Sequence, residues 1–195
     1  MNLNVKALQP EQGQAFIDFF SNLSFEHVPH WSTCYCRFYH TDCSAEQWQN
    51  RSGAVNSKEA VEKIKNGEMK GYLAYDGDKI IGWLNANDAR SYLRLKEEMK
   101  PVIQDKKAGC SICYVIDQDY RRQGVATALL EYAIKDFKKQ GYDGMLAIPL
   151  ENPKDEKNNP AALYRGAVSM YEKQGFKELF RDGSLRVLWL DLHAQ

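Results

Sequence analysis

The stretch Cys110–Phe137, CSICYVIDQDYRRQGVATALLEYAIKDF, decides how this chain folds. Its first seven residues, Cys110 to Ile116, form an apolar run of the length of a buried strand. A short polar turn follows, then a helix that opens on Arg121-Arg122-Gln123-Gly124-Val125-Ala126 and runs to about Lys139. Ala126, Leu130, Ala133 and Phe137 fall on one face of that helix. Strand, glycine-containing turn and helix start together make an anion site. Glycine lets the backbone approach a ligand closely. The first helical amides have no partner inside the helix and sit at its positive dipole end, so a phosphate is held there by backbone alone. Arg121 and Arg122 add charge. A phosphorylated cofactor is therefore expected at residues 121 to 127.

The rest of the chain alternates strands and helices around this unit. Val5–Leu8 reads as a first strand. Pro10 can open a helix that carries Ala15, Phe16, Phe19 and Phe20 as an inward stripe. Residues 21–43 read as irregular. Ser44 with Gln47 forms a capping box for a short helix, and Ser57 is expected to cap a second helix that stops at Gly67. Gly71–Tyr75 and Lys79–Asn85, joined by Asp76-Gly77, read as a hairpin. Asp88 is expected to cap a helix over 89–100 that ends at Pro101. Beyond the central helix, which Gly141 stops, a strand over 145–150 and a loop over 151–159 are expected. A helix over 160–174 and strands over 176–180 and 186–190 complete the chain. The class is mixed α/β in a single domain over 1–195, with 1–56 more divergent than 57–195.

Composition narrows the function. The 195 residues hold 26 basic and 26 acidic side chains, with 44% hydrophobic and 12% aromatic content. A balanced charge argues against a nucleic-acid binder that works by neutralising phosphates. No run approaches the ~20 apolar residues of a membrane span. The opening MNLNVKALQPEQ lacks the basic start and apolar run of an export signal, so a cytoplasmic protein is expected. The five cysteines then read as reduced thiols. With no Gly-x4-Gly-Lys-Ser/Thr there is no lysine to meet terminal phosphates, which argues against the same turn holding ATP.

Three motifs stand in order. The turn RRQGVA at 121–126 is similar to the Arg/Gln-x-x-Gly-x-Gly/Ala acetyl-CoA signature of the GNAT N-acetyltransferases. Tyr171-Glu172-Lys173-Gln174-Gly175-Phe176, about fifty residues on, resembles that family's helix ending in Tyr-x-x-x-Gly-Phe. The hairpin GYLAYDGDKIIGWLNA resembles its second and third strands. The resemblance spans roughly residues 68–192, and the runs GWLNANDARSYLRL and YRGAVSMYEKQGF are similar to a bacterial subgroup of the family. It implies a splayed, mixed seven-stranded sheet flanked by helices, with acetyl-CoA in the gap beside the central strand. By the same resemblance the pyrophosphate meets Arg121, Arg122, Gln123, Gly124, Val125, Ala126 and Thr127, and the pantetheine arm meets the backbone of Tyr114, Val115 and Ile116. The chain departs from the family at Tyr164, where an Asn is common seven residues before the Tyr.

Acetyl transfer to an amine has three requirements. An alkyl amine, with pKa ~10.4 for a lysine-like group, must lose a proton. The thioester carbonyl must be polarised. The departing thiolate must be protonated or stabilised. Tyr171 is the candidate general acid by resemblance, and a backbone N–H near Ile116 the candidate carbonyl donor. The central strand holds no Glu, so the base is Asp117 or Glu151, both of which also read as loop carboxylates. The leading function is an N-acetyltransferase that uses acetyl-CoA and a primary amine of a small molecule or protein by direct attack in a ternary complex. A non-catalytic acyl-CoA-binding sensor is the alternative, and a homodimer remains open.

His27, His30, Cys34, Cys36, His40 and Cys43 crowd into seventeen residues. Their spacing is not that of an ordinary zinc site, and no metal is expected. Trp31, Tyr35, Phe38 and Tyr39 in the same segment read either as an aromatic wall of the acceptor pocket or as core. Cys110 and Cys113, three apart on a strand, are expected on opposite faces, with Cys113 nearer the cofactor.

Overall fold

The structure, a computed structural model, describes residues 1–26, 28–151 and 163–193. Strands β1 (Leu3–Ala7), β2 (Gly71–Asp76), β3 (Lys79–Asp88), β4 (Ala108–Ile116), β5 (Gly144–Ala147), β6 (Lys177–Asp182) and β7 (Leu185–Asp191) form one sheet in the order β1-β2-β3-β4-β5-β7-β6. Only β4 and β5 run parallel; the other pairs are antiparallel. Helices α1 (Gly13–Ser21), α2 (Ala45–Gln49), α3 (Gly53–Lys65), α4 (Lys96–Ile103), α5 (Val125–Lys139) and α6 (Val168–Lys173) flank it. The mixed α/β architecture expected from the sequence is the one observed.

The helices divide the core in two. The α5 stripe of Leu129, Leu130, Ala133 and Phe137 packs on Tyr72, Leu84 and Met145, with Tyr171 of α6 in the same layer. The other face of the sheet is covered by α1 and α3, where Phe16, Phe20 and Ile64 meet Leu73 and Trp83. It is covered further along by Tyr92, Met99 and Ile103 against Cys110, Ile112 and Leu146. No helix among the described residues is long and apolar enough to cross a membrane.

Four boundaries differ from the sequence expectation, each for a local reason. Helix α3 starts a turn before Ser57, because the Ser52 side chain accepts the Val55 amide and caps it. Residues 89–100 are not one helix. Asp88 caps a single 3-10 turn over 89–91, and the Tyr92 hydroxyl, donating to Asn85 Oδ1 at 3.0 Å, anchors an extended residue there. Helix α4 begins only at Lys96, carries Pro101 inside it, and ends at Gln104 with φ 48°. The expected helix over 160–174 is observed only as α6, because Gly166 at φ 85° breaks it, and its part before residue 163 lies outside the described residues. Strand β5 stops at Ala147, leaving Leu150 as an isolated bridge to Leu185.

A β-bulge in β4 overturns one expectation about the cysteines. Asn85 pairs with Cys113 and Ala86 with Ser111, so Ile112 is an extra residue on β4. The alternation of faces slips by one. Ser111 and Tyr114 both point toward Tyr171. Cys110 and Cys113, expected on opposite faces, both lie on the face away from α5, Cys110 in the core and Cys113 against Cys36.

Candidate active site

Strands β4 and β5 pair only from Ala108 opposite Gly144 to Ser111 opposite Ala147. Beyond that point β4 runs on to Ile116 without β5, and a cleft opens between them. The turn at 163–166 enters it, and the Tyr164 carbonyl accepts the Tyr114 N–H at 2.6 Å. A cavity of about 420 Å³ occupies the cleft. Every residue predicted to hold the cofactor except Gln123 lines it: Tyr114, Val115 and Ile116 on the strand, and Arg121, Arg122, Gly124, Val125, Ala126 and Thr127 on the turn and helix start. Gln123 instead ties the turn, its side chain donating to the Asp119 carbonyl at 2.7 Å.

The turn is rigidly made. Asp117 accepts the Asp119 amide at 3.1 Å and pairs with Lys79 at 3.0 Å. Arg121 Nε reaches back to the Ile116 carbonyl at 3.2 Å. Arg122 at φ 60° and Gly124 at φ 86° take left-handed backbone, a conformation that costs other residues about 1–2 kcal/mol relative to glycine. A Cβ on Gly124 would meet nothing within 4 Å, since it faces the open cleft. Ala128 donates to Gly124 O at 3.0 Å, so the amides of Val125, Ala126 and Thr127 precede the first helical bond. The cradle therefore fits a phosphate of acetyl-CoA.

Tyr171 is fully buried beneath the cleft. Its hydroxyl donates to the Arg165 carbonyl at 2.8 Å and lies 3.0 Å from Ser111 Oγ and 3.3 Å from the Tyr114 hydroxyl. Burial pushes its pKa well up, so it stays protonated. Gly166 separates it from the cavity: a Cβ there would stand 3.0 Å from the Tyr171 hydroxyl oxygen. The two candidate bases lie apart from this cluster. Asp117 caps the turn, and Glu151 pairs with Arg181 at 2.7 Å near β6 and β7; neither lines the cleft.

A second cavity, of about 270 Å³, lies against the first. Phe25, Trp31, Val115 and Tyr164 line both. The rest of its wall is aromatic and thiol: Phe20, Phe38, Tyr39 and Trp48 with Cys34, Cys36 and Cys113, and His30 at the edge. Of the four aromatic residues singled out in the 31–39 segment, Trp31, Phe38 and Tyr39 line this cavity and Tyr35 does not.

A sequence profile described as the Acetyltransferase (GNAT) family matches residues 26–176. The chain belongs to the GNAT acetyltransferase family. No curated protein matches it, but solved structures of this GNAT fold align over nearly its whole length. The N-acetyltransferase of Staphylococcus aureus Mu50 has 13% identity and a TM-score of 0.55, with 98% of this chain and 99% of that one covered. The PaiA N-acetyltransferase of Thermoplasma acidophilum, solved with coenzyme A, has 17% identity and a TM-score of 0.55 over 98% and 99%. A GNAT acetyltransferase of Listeria monocytogenes 4b F2365 has 10% identity and a TM-score of 0.58 over 97% and 94%.

In this GNAT chain the crowded Cys and His residues divide, with His30, Cys34 and Cys36 on the second cavity and His40 and Cys43 outside its lining. His40 is buried and bonded to Asn85. Because Asn85 Oδ1 accepts from Tyr92 at 3.0 Å, its amide nitrogen faces His40 Nε2 at 3.1 Å, which fits a neutral imidazole. Burial, with Arg37 nearby, lowers the His40 pKa to about 4. Cys43 is held by Arg94. Cys34 and Cys36 turn to the second cavity, and burial raises the Cys34 thiol to about 11. His27 lies outside the described residues. Among the described residues no three His, Cys, Asp or Glu side chains converge on a metal position. Gly166, Trp48 and Tyr164 line the two cavities without a motif that marks them as site residues. Gly166 alone carried a signal, as a glycine inside a helical pattern.

Proposed function

We propose that the protein acetylates a primary amine from acetyl-CoA by direct attack, with donor and acceptor held together in the two adjoining cavities. The observation that carries this reading is their common wall of Phe25, Trp31, Val115 and Tyr164. Acetyl-CoA supplies an activated thioester. Arg121, Arg122 and the amides of Val125 to Thr127 bind its phosphates, and the Gly124 backbone lets them approach. Strand alternation turns Ile116 to the same side as Tyr114, toward the cleft, so the Ile116 amide is the donor where negative charge develops. Tyr171, kept neutral by burial, is assigned the thiolate's proton; its hydroxyl would turn from the Arg165 carbonyl past the bare Gly166 to deliver it. His30 is the imidazole on the acceptor wall, and we assign it the amine's proton.

The test is thiol release from acetyl-CoA by the purified protein across a panel of amines. Amine-dependent release supports the reading. Tight acetyl-CoA binding with no release for any amine favours the non-catalytic sensor, a reading supported by the absence of a carboxylate from the described walls of both cavities.

A further inference from the structure

Resting on that reading, we infer that the acceptor is a primary monoamine borne on a flat aromatic body, not a polyamine or a lysine side chain of a protein. The second cavity takes its shape from rings packed edge to face. Phe38 meets Trp48 with centroids 5.2 Å apart at 76°, and Tyr39 at 5.0 Å and 87°; Trp31 meets Tyr164 at 5.6 Å and 72°. A planar ring continues that arrangement and gains the edge-to-face attraction that an alkyl chain lacks.

The backing of the wall is cationic. Arg94 lies over Phe38, 4.2 Å from the ring centroid, and Arg165 lies 5.6 Å from Tyr39 and 5.3 Å from Tyr164. Their donors go to neutral oxygens: Arg94 to the carbonyls of Phe38 and Cys43, Arg165 to the hydroxyls of Tyr39 and Tyr164 and the carbonyl of Ile148. Two guanidinium charges thus stand behind a wall whose described lining carries no carboxylate. A second ammonium on the acceptor would be repelled by them and stripped of water with no carboxylate among the described lining to compensate.

The same field favours the reaction of a single amine. Like charge and desolvation both lower an amine's pKa, so the acceptor enters neutral more readily, which lightens the work of the base. Peptide acceptors fit poorly for another reason. Their backbone needs hydrogen-bond partners, yet the Tyr39 and Tyr164 hydroxyls, 2.9 Å apart and both accepting from Arg165, are left with one O–H between them beyond their mutual bond.

The test compares kcat/KM, by thiol release at saturating acetyl-CoA, for phenylethylamine, hexylamine, spermidine and a lysine-containing peptide. We expect phenylethylamine to exceed spermidine and the peptide by at least ~10-fold, about 1.4 kcal/mol, and to exceed hexylamine by a smaller factor. Spermidine or the peptide equalling phenylethylamine overturns the aromatic-monoamine assignment while acetyl transfer stands. No release from any amine overturns both. Trp48→Ala and Phe38→Leu should each raise KM for phenylethylamine several-fold and leave KM for acetyl-CoA unchanged; an unaltered amine KM in both variants also overturns the assignment.

Discussion

The two cavities sit side by side on β4 and are built by opposite means. The cofactor cleft is backbone work: a strand that outruns its partner, a glycine at φ 86° and the amides of a helix start. The acceptor cavity is side-chain work. Its rings and thiols come from α1, the 25–39 segment, α2, β4 and the turn before α6. A backbone site can be held by a short motif while almost everything around it changes. A side-chain site is set by which distant segments happen to meet, and it can be remade by a few substitutions. The donor is accordingly fixed by family, and the acceptor by this chain's own residues.

Changing one cavity at a time breaks that comparison most sharply. Gly124→Trp should weaken acetyl-CoA binding by ~100-fold or more in calorimetry, about 3 kcal/mol. The fold should persist by circular dichroism, since a Cβ there meets no protein atom within 4 Å and the left-handed backbone costs only about 1–2 kcal/mol.

The next effect, on stability through pH, belongs to the buried pair of His40 and Asn85. His40 has a folded pKa of about 4, against 6.5 for an ordinary histidine. As pH falls from 6.5 toward 4 the unfolded chain takes up a proton that the folded chain refuses. Stability is therefore complete above pH 6.5 and declines across this window by about 3 kcal/mol. Denaturant titrations at several pH values should show the decline, and His40→Gln should flatten it.

Tyr171→Phe tests the floor of the cofactor cleft. It removes the bond to the Arg165 carbonyl, for a stability loss of about 1 kcal/mol. Because the hydroxyl is assigned to turn from that carbonyl to the departing thiolate, kcat should fall ~10-fold or more with acetyl-CoA affinity nearly unchanged; unaltered turnover would remove Tyr171 from the chemistry. The smallest effect is on the thiols. Cys34, raised to about 11 by burial, should alkylate slowly at neutral pH and speed up only as pH approaches that value.

The same contrast explains what was legible in the sequence. Residues 110–137 carry the strand, turn and helix of the cofactor cleft in one local pattern, and the hairpin at 71–85 carries a turn dipeptide. The bulge at Ile112 leaves no such trace, for CSICYVI contains no glycine or proline to mark it, and so the facing of Cys113 could not be read. Gly166 looked like one residue of a long helix, when its left-handed backbone in fact ends the turn that reaches Tyr114. The meeting of Trp48 with Phe38 and of Trp31 with Tyr164 depends on contacts across the whole chain.

Direct attack requires both cavities to be filled at once. Initial rates of thiol release, measured with acetyl-CoA and an accepted amine varied against each other, test this directly. A ternary complex predicts double-reciprocal lines that intersect. Parallel lines, the mark of an acetyl group first parked on the protein, would contradict it.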